Sequence, residues 1–241
     1  MNKLILLLLA GLITFAATGF SQGNSFSAER NARYVQYRIF ENTTSPNGQF
    51  ALGWGTGRNA KLEEAIDRNE VDQDKVEDFL VFLPKDLAVA TLEDTHFWPD
   101  PTSGNVTGGS ISATWGSSSD LVVVNCEGKW GSHYLRAFKI GKIKVDGSLG
   151  IESAAEKVIF GWLAKNYAAQ YKRSADYLGL SYDNFEAEGE NSFGVTATTI
   201  VNKMAPENAD INVRVRLRFF IEGEPDDLKF TLLTVEEAAT K

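Results

Sequence analysis

"SPNGQFALGWGTG", residues 45–57, joins a Ser-Pro-Asn-Gly turn to a short apolar and aromatic run. Pro46 presets its own backbone and Asn47-Gly48 tolerates a tight reversal, so a strand is expected to start near Gln49. A second stretch, "GSSSDLVV" at 116–123, has the same form at an offset of 71 residues: a small-residue turn, a polar residue, then an apolar strand. The likeness extends downstream. "DFLVFLPKDLAVATL" follows the first copy as "HYLRAFKIGKIKVDG" follows the second, each reading as strand, turn, strand.

Working outward, short apolar runs punctuated by Gly, Asn, Ser and Pro predict strands near Tyr34–Phe40, Gln49–Trp54, Asp78–Phe82, Ala88–Leu92, Ser110–Trp115, Asp120–Cys126 and Tyr134–Lys144. One stretch interrupts them. An acidic insertion at about 59–78 carries eight acidic residues between Glu63 and Asp78, with Leu62, Ala65 and Ile66 at helical spacing, and predicts a short exposed helix and loop. Asp67, Asn69, Asp72 and Asp74 offer oxygen ligands there, but the Gly and Glu of a calcium-loop pattern are missing, so no metal is expected. After Gly150, Ser153 and Glu156 have the spacing of a capping box. A helix is expected from Ala154 to about Tyr177, with Val158, Ile159, Trp162, Leu163 and Ala169 sharing its apolar face. A polar loop and two or three strands follow: "FGVTATTIVNK", "INVRVRLRFFIEG" and "LKFTLLTV".

Ser45, Pro46, Asn47 and Gly48 resemble the Ser-Pro-Asp-Gly repeat of WD-type and TolB-like β-propellers, with Asn in place of Asp; the second copy lacks Pro and Gly. The resemblance covers about half the chain and implies blade-like sheets. Blades take about 40–45 residues and a ring needs at least four, so two copies at this offset predict no closed propeller. The expected fold is α+β: an antiparallel β-meander forming a propeller-like sheet fragment, one long helix, and a C-terminal antiparallel β-hairpin. The division is a leader at 1–21, a β-rich part at 22–148, and the helix with closing strands at 149–241.

The leader itself is "MNKLILLLLAGLITFAATGFS": one lysine, an apolar run, then small residues. That order reads as a secretory signal peptide, too short for a membrane span, with cleavage near Ser21–Gln22. A secreted or periplasmic protein with no stable membrane anchor follows. With 24 basic and 32 acidic residues and a net charge of −8, the chain is not built to hold nucleic acid. Cys126 is the sole cysteine, which excludes an internal disulfide and reads as a buried small hydrophobe.

Two histidines, His96 and His133, limit catalytic options, and no nucleophile elbow or zinc motif occurs. Within "EDTHFWPDP", residues 93–101, Asp94 and His96 can share a strand face while Asp100 sits between two prolines; together they are the candidate centre of a hydrolase. Candidate binding residues are of two kinds. Trp54, Trp98 and Trp130 lie at strand ends, where aromatics could stack on a sugar or anchor a protein. Arg214, Arg216 and Arg218 alternate with Val213, Val215, Leu217 and Phe219, which places three guanidiniums on one sheet face for an acidic partner or for carboxylates on neighbouring strands. The expected function is that of an exported non-catalytic binding protein for a protein or glycan partner in the cell envelope, with no cofactor, and with the hydrolase as alternative.

Overall fold

The structure, a computed structural model, describes residues 37–56, 61–93, 95, 98–99, 106–107, 109–128, 131–206, 209 and 211–239. The leader, Asp94, His96, Asp100 and Trp130 lie outside the described residues. Antiparallel sheets dominate. Three of them have four strands each, and each runs through its strands in chain order.

Sheet I comprises β1 (Arg38–Ile39), β2 (Phe50–Gly55), β3 (Glu77–Phe82) and β4 (Leu87–Leu92). Between β2 and β3 the acidic insertion forms the short helix α1 (Leu62–Asp67), held to the core by the fully buried Leu62. A two-stranded pair, β5 (Trp98–Pro99) and β6 (Val106–Thr107), precedes sheet II. Sheet II comprises β7 (Ser110–Trp115), β8 (Leu121–Gly128), β9 (Gly131–Ile140) and β10 (Val145–Gly150). Next come helices α2 (Glu152–Asn166) and α3 (Ala168–Ser174). Sheet III closes the chain with β11 (Leu178–Ala187), β12 (Ser192–Val201), β13 (Arg214–Glu222) and β14 (Lys229–Glu237).

Sheet II is the middle layer, covered on both faces. Period two divides β8 between them. Val122, Val124 and Cys126 face sheet I, packing with Phe50, Leu52, Trp54, Leu80 and Leu92. Leu121 and Val123 face the other way, toward α2 and sheet III. A strand buried on both faces has no solvent side to mark with polar residues, which is why "LVVVNC" reads as a continuous apolar run. In the second core Ala155, Ile159 and Leu163 of α2 lie at one-turn intervals at 2%, 0% and 0% exposure. Burying Ile159 and Leu163 contributes roughly 1.5–3 kcal/mol each. Ala169 is exposed, because the long helix ends at Asn166 and Tyr167, at φ −130° and ψ 39°, breaks it before α3 starts.

The turn that opened the sequence reading has its own fastening. Asn47 Oδ1 accepts from the Ser45 hydroxyl (2.8 Å) and from the Gln49 N–H (3.0 Å), while Ser45 Oγ accepts from the Phe50 N–H (2.9 Å). Only one side-chain oxygen is needed, so Asn serves where the motif has Asp. The turn then binds its counterpart in sheet II: the Asn47 N–H donates to Ser119 Oγ (3.1 Å) and Trp115 Nε1 donates to the Thr43 carbonyl (2.8 Å). A third turn, residues 188–191 between β11 and β12, continues the row, accepting from the Ser117 N–H at the Gly189 carbonyl (3.1 Å). A Cβ on Gly116 would collide with the Glu190 carbonyl, so glycine is required where these turns meet. Phe50, Leu121 and Phe193 each follow their turn by the same number of residues, and the three turns recur at offsets of 71 and 72.

Three expectations are corrected. The closing unit is a four-stranded sheet and not a hairpin, because the segment read as a polar loop holds the ten-residue strand β11. The helix starts at Glu152 with Ile151 as its N-cap and no side-chain cap bond, so Ser153 and Glu156 form no capping box. Ile151 holds the junction instead: it is fully buried and its N–H donates to the Leu135 carbonyl (3.0 Å). Trp54 is 2% exposed between sheets I and II, because β2 is covered on both faces, and it is not a surface aromatic.

Candidate functional site

The arginine stripe lies on the outer face of sheet III, and its partners lie two strands away. Arg214 pairs with Asp183 (3.1 Å), Arg216 with Glu186 (2.7 Å) and Glu188 (3.8 Å), and Arg218 with Glu188 (2.7 Å). The intervening strand β12 sets Thr198, Gly194 and Thr196 opposite or beside these arginines. Its small side chains let the guanidiniums reach across to β11. A Cβ on Gly194 would fall on the Arg216 guanidinium and against Glu188. The face is therefore charge-balanced within the chain.

A second group of charges is arranged differently. A cavity of about 270 Å³ opens where the end of β4, the start of β9 and the β10–α2 junction converge, lined by Glu93, Tyr134, Leu135, Arg136, Gly150, Glu152 and Ser153. The fold places each residue for a local reason. Tyr134 and Arg136 share the β9 face that carries Phe138 and Ile140 into the core with sheet I. Arg136 pairs with Gly150 across the ladder, and the anchored Ile151 turns the chain so that Glu152 and Ser153 form the first helical turn beside them.

Arg136 is half-buried. Its guanidinium stands 5.7 Å from the centroid of the Tyr134 ring, and its Nη1 donates to Ser148 Oγ at 3.3 Å. It makes no ion pair with any described residue, whereas Arg38, Arg68, Arg214, Arg216 and Arg218 all do. Glu93 and Glu152 also have no ion-pair partner among the described residues. Burial raises the Glu152 carboxyl above its ordinary value, and the Glu156 charge adds to this; burial alone does the same to Glu156. Beneath this acidic turn the Tyr182 hydroxyl is buried with no hydrogen-bond partner among the described residues, its pKa raised by burial and then by Glu156 and Glu152.

Behind the cavity sit Cys126, paired across the ladder with Tyr134, and the fully buried Asp78. Burial, followed by the Asp78 charge, pushes the Cys126 thiol well up, so it stays protonated and is no nucleophile. Tyr134 is raised by burial against the opposing effect of Arg136. Among the described residues no group of three or more His, Cys, Asp or Glu side chains could hold a metal ion.

Of the residues singled out from sequence, the described ones that the structure brings together are those of the arginine stripe. The pair β5–β6 places the Trp98 backbone opposite Thr107. Asp94, His96, Asp100 and Trp130 fall outside the described residues. Arg136 and Glu152 were missed. Their one available signal was an arginine at an inward-facing position of "YLRAFKI", between Tyr134 and Phe138. Among the described residues no helix is long and apolar enough to cross a membrane. No family model matches this chain, and neither a curated protein nor a solved structure does.

Proposed function

We propose that this chain is an exported, non-catalytic binding protein that takes a protein or glycan component of the cell envelope. Contact is made at the cavity between β4, β9 and α2. One observation carries this reading: side chains of both signs, Arg136, Glu93 and Glu152, line a cavity without ion-pairing among the described residues. Arg136 and Glu152 are half-buried and Glu93 is exposed at the mouth. A half-buried charge without a partner costs free energy, and a ligand that compensates it recovers it. The acidic balance of the chain speaks against nucleic acid as that ligand. The three stacked meanders, with turns recurring at 45, 116 and 188, support a reading as blades of an open, propeller-like stack.

The test is capture from the envelope fraction of the source organism, using the chain from Gln22 onward beside its Arg136→Met and Glu152→Gln variants. A component retained by the parent and released from both variants is the expected result. Equal retention by all three would remove the cavity from the function. Turnover of an envelope ester, amide or glycoside that disappears in His96→Ala would replace the binding reading with the hydrolase centred on Asp94, His96 and Asp100.

A further inference from the structure

We propose that the group this cavity takes from the envelope component is a small zwitterion, an ammonium and a carboxylate on one short carbon frame, of amino-acid type; this rests on the binding reading above. The argument is one of charge and size. A plain anion that reached Arg136 would face the carboxylates of Glu93 and Glu152 in the same cavity. A plain cation that reached the carboxylates would face Arg136. A neutral ligand would leave the half-buried Arg136 and Glu152 without a charged partner. A ligand carrying both signs satisfies both walls at once. Arg136, whose guanidinium has only the Ser148 hydroxyl as a hydrogen-bond acceptor among the described residues, takes the carboxylate. Glu152 and Glu93 take the ammonium.

Two further features of the wall agree. The first turn of α2 has no side-chain cap, so its N–H groups beside Gly150 and Ser153 remain available to the same carboxylate. Tyr134 is 9% exposed and lines the cavity, adding a phenol to the wall that the Arg136 guanidinium stands beside. The cavity, about 270 Å³, has room for a group of amino-acid size. Two carboxylates against one guanidinium further favour a zwitterion with a second ammonium.

The experiment uses four probes on the chain from Gln22 onward, read by calorimetry and by thermal shift: L-lysine (both signs), 1,5-diaminopentane (cation alone), hexanoate (anion alone) and glucose (neutral). Lysine is expected to bind and to raise the unfolding midpoint, with the other three at least about tenfold weaker. Arg136→Met and Glu152→Gln are each expected to weaken lysine by about tenfold or more, since each removes one charged anchor. Glu152→Gln also guards against misfolding as the explanation, because it relieves a half-buried charge. Diaminopentane equal to lysine and indifferent to Arg136→Met would overturn the proposal in favour of a cation site. Glucose alone, sensitive to both variants, would overturn it while leaving the binding site in place. No response to any probe would also overturn it. Envelope capture that is indifferent to both variants would then bring down the binding reading as well.

Discussion

The outer face of sheet III and the cavity rim beside α2 use the same side chains, Arg and Glu, to opposite ends. On sheet III the arginines stand two residues apart on β13 and their carboxylates stand on β11 and the turn after it, so the strand repeat itself brings them into register. At the rim, one arginine from a strand meets carboxylates from a helix start and a strand end, and none of them ion-pairs with a described residue. Regular sheet geometry lets a chain neutralise its own charges. A junction between elements leaves them facing a common space.

The hardest way to break this comparison is to remove the frame of the rim. Ile151→Ala takes a fully buried side chain from the β10–α2 junction, and a loss of about 2–5 kcal/mol is expected in denaturant unfolding. The lysine response should fall with it. Next comes Arg216→Met, which removes the middle of the ladder at a side-chain exposure of 18% and leaves Glu186 unpaired. A loss of about 1 kcal/mol is expected, smaller at high salt because screening already weakens the pairs. Arg136→Met sharpens the contrast. With no described ion pair to lose, its stability should stay within about 0.5 kcal/mol of the parent while lysine binding weakens by about tenfold or more. Equal costs for the two arginines would erase the distinction between the regions.

The smallest effect is one of pH. Burial and the Glu156 charge raise the folded-state pKa of Glu152 above its unfolded value, so the folded chain binds this proton more tightly. That contribution favours folding at acid pH and is lost as pH rises through the raised folded pKa. Glu152→Gln should therefore raise the thermal midpoint modestly at neutral pH. The gain should vanish below the ordinary carboxylate value of about 4.3. A midpoint lowered at neutral pH would mean that Glu152 has an attractive partner.

Much of this was readable in the residues. The alternation from Val213 to Phe219 announces β13 with its apolar face inward, and the Ser45–Gly48 turn announces β2. What was hidden was hidden for physical reasons. β11 reads as a loop because Asp183, Asn184 and Glu186 crowd one stretch, and a register shift between Asp183 and Glu186 breaks the period of two. The carboxylates that make it look disordered are those that pair the arginines. The start of α2 was misread because a buried apolar anchor at Ile151 leaves no capping signature. The cavity has no local motif at all, since its residues lie on β9, β10, α2 and the turn after β4, and only the packing of sheets I and II with α2 assembles them.

The most direct test of the central claim, that the rim charges wait for a ligand, is to follow the Glu152 carboxyl carbon by NMR through a pH titration. It would be run with and without L-lysine. The account expects a free-state pKa above the ordinary carboxylate range that falls when lysine binds, because a bound ammonium stabilises the ionised form. An ordinary or lowered value, unmoved by lysine, would mean that the charge is already compensated and would contradict the account.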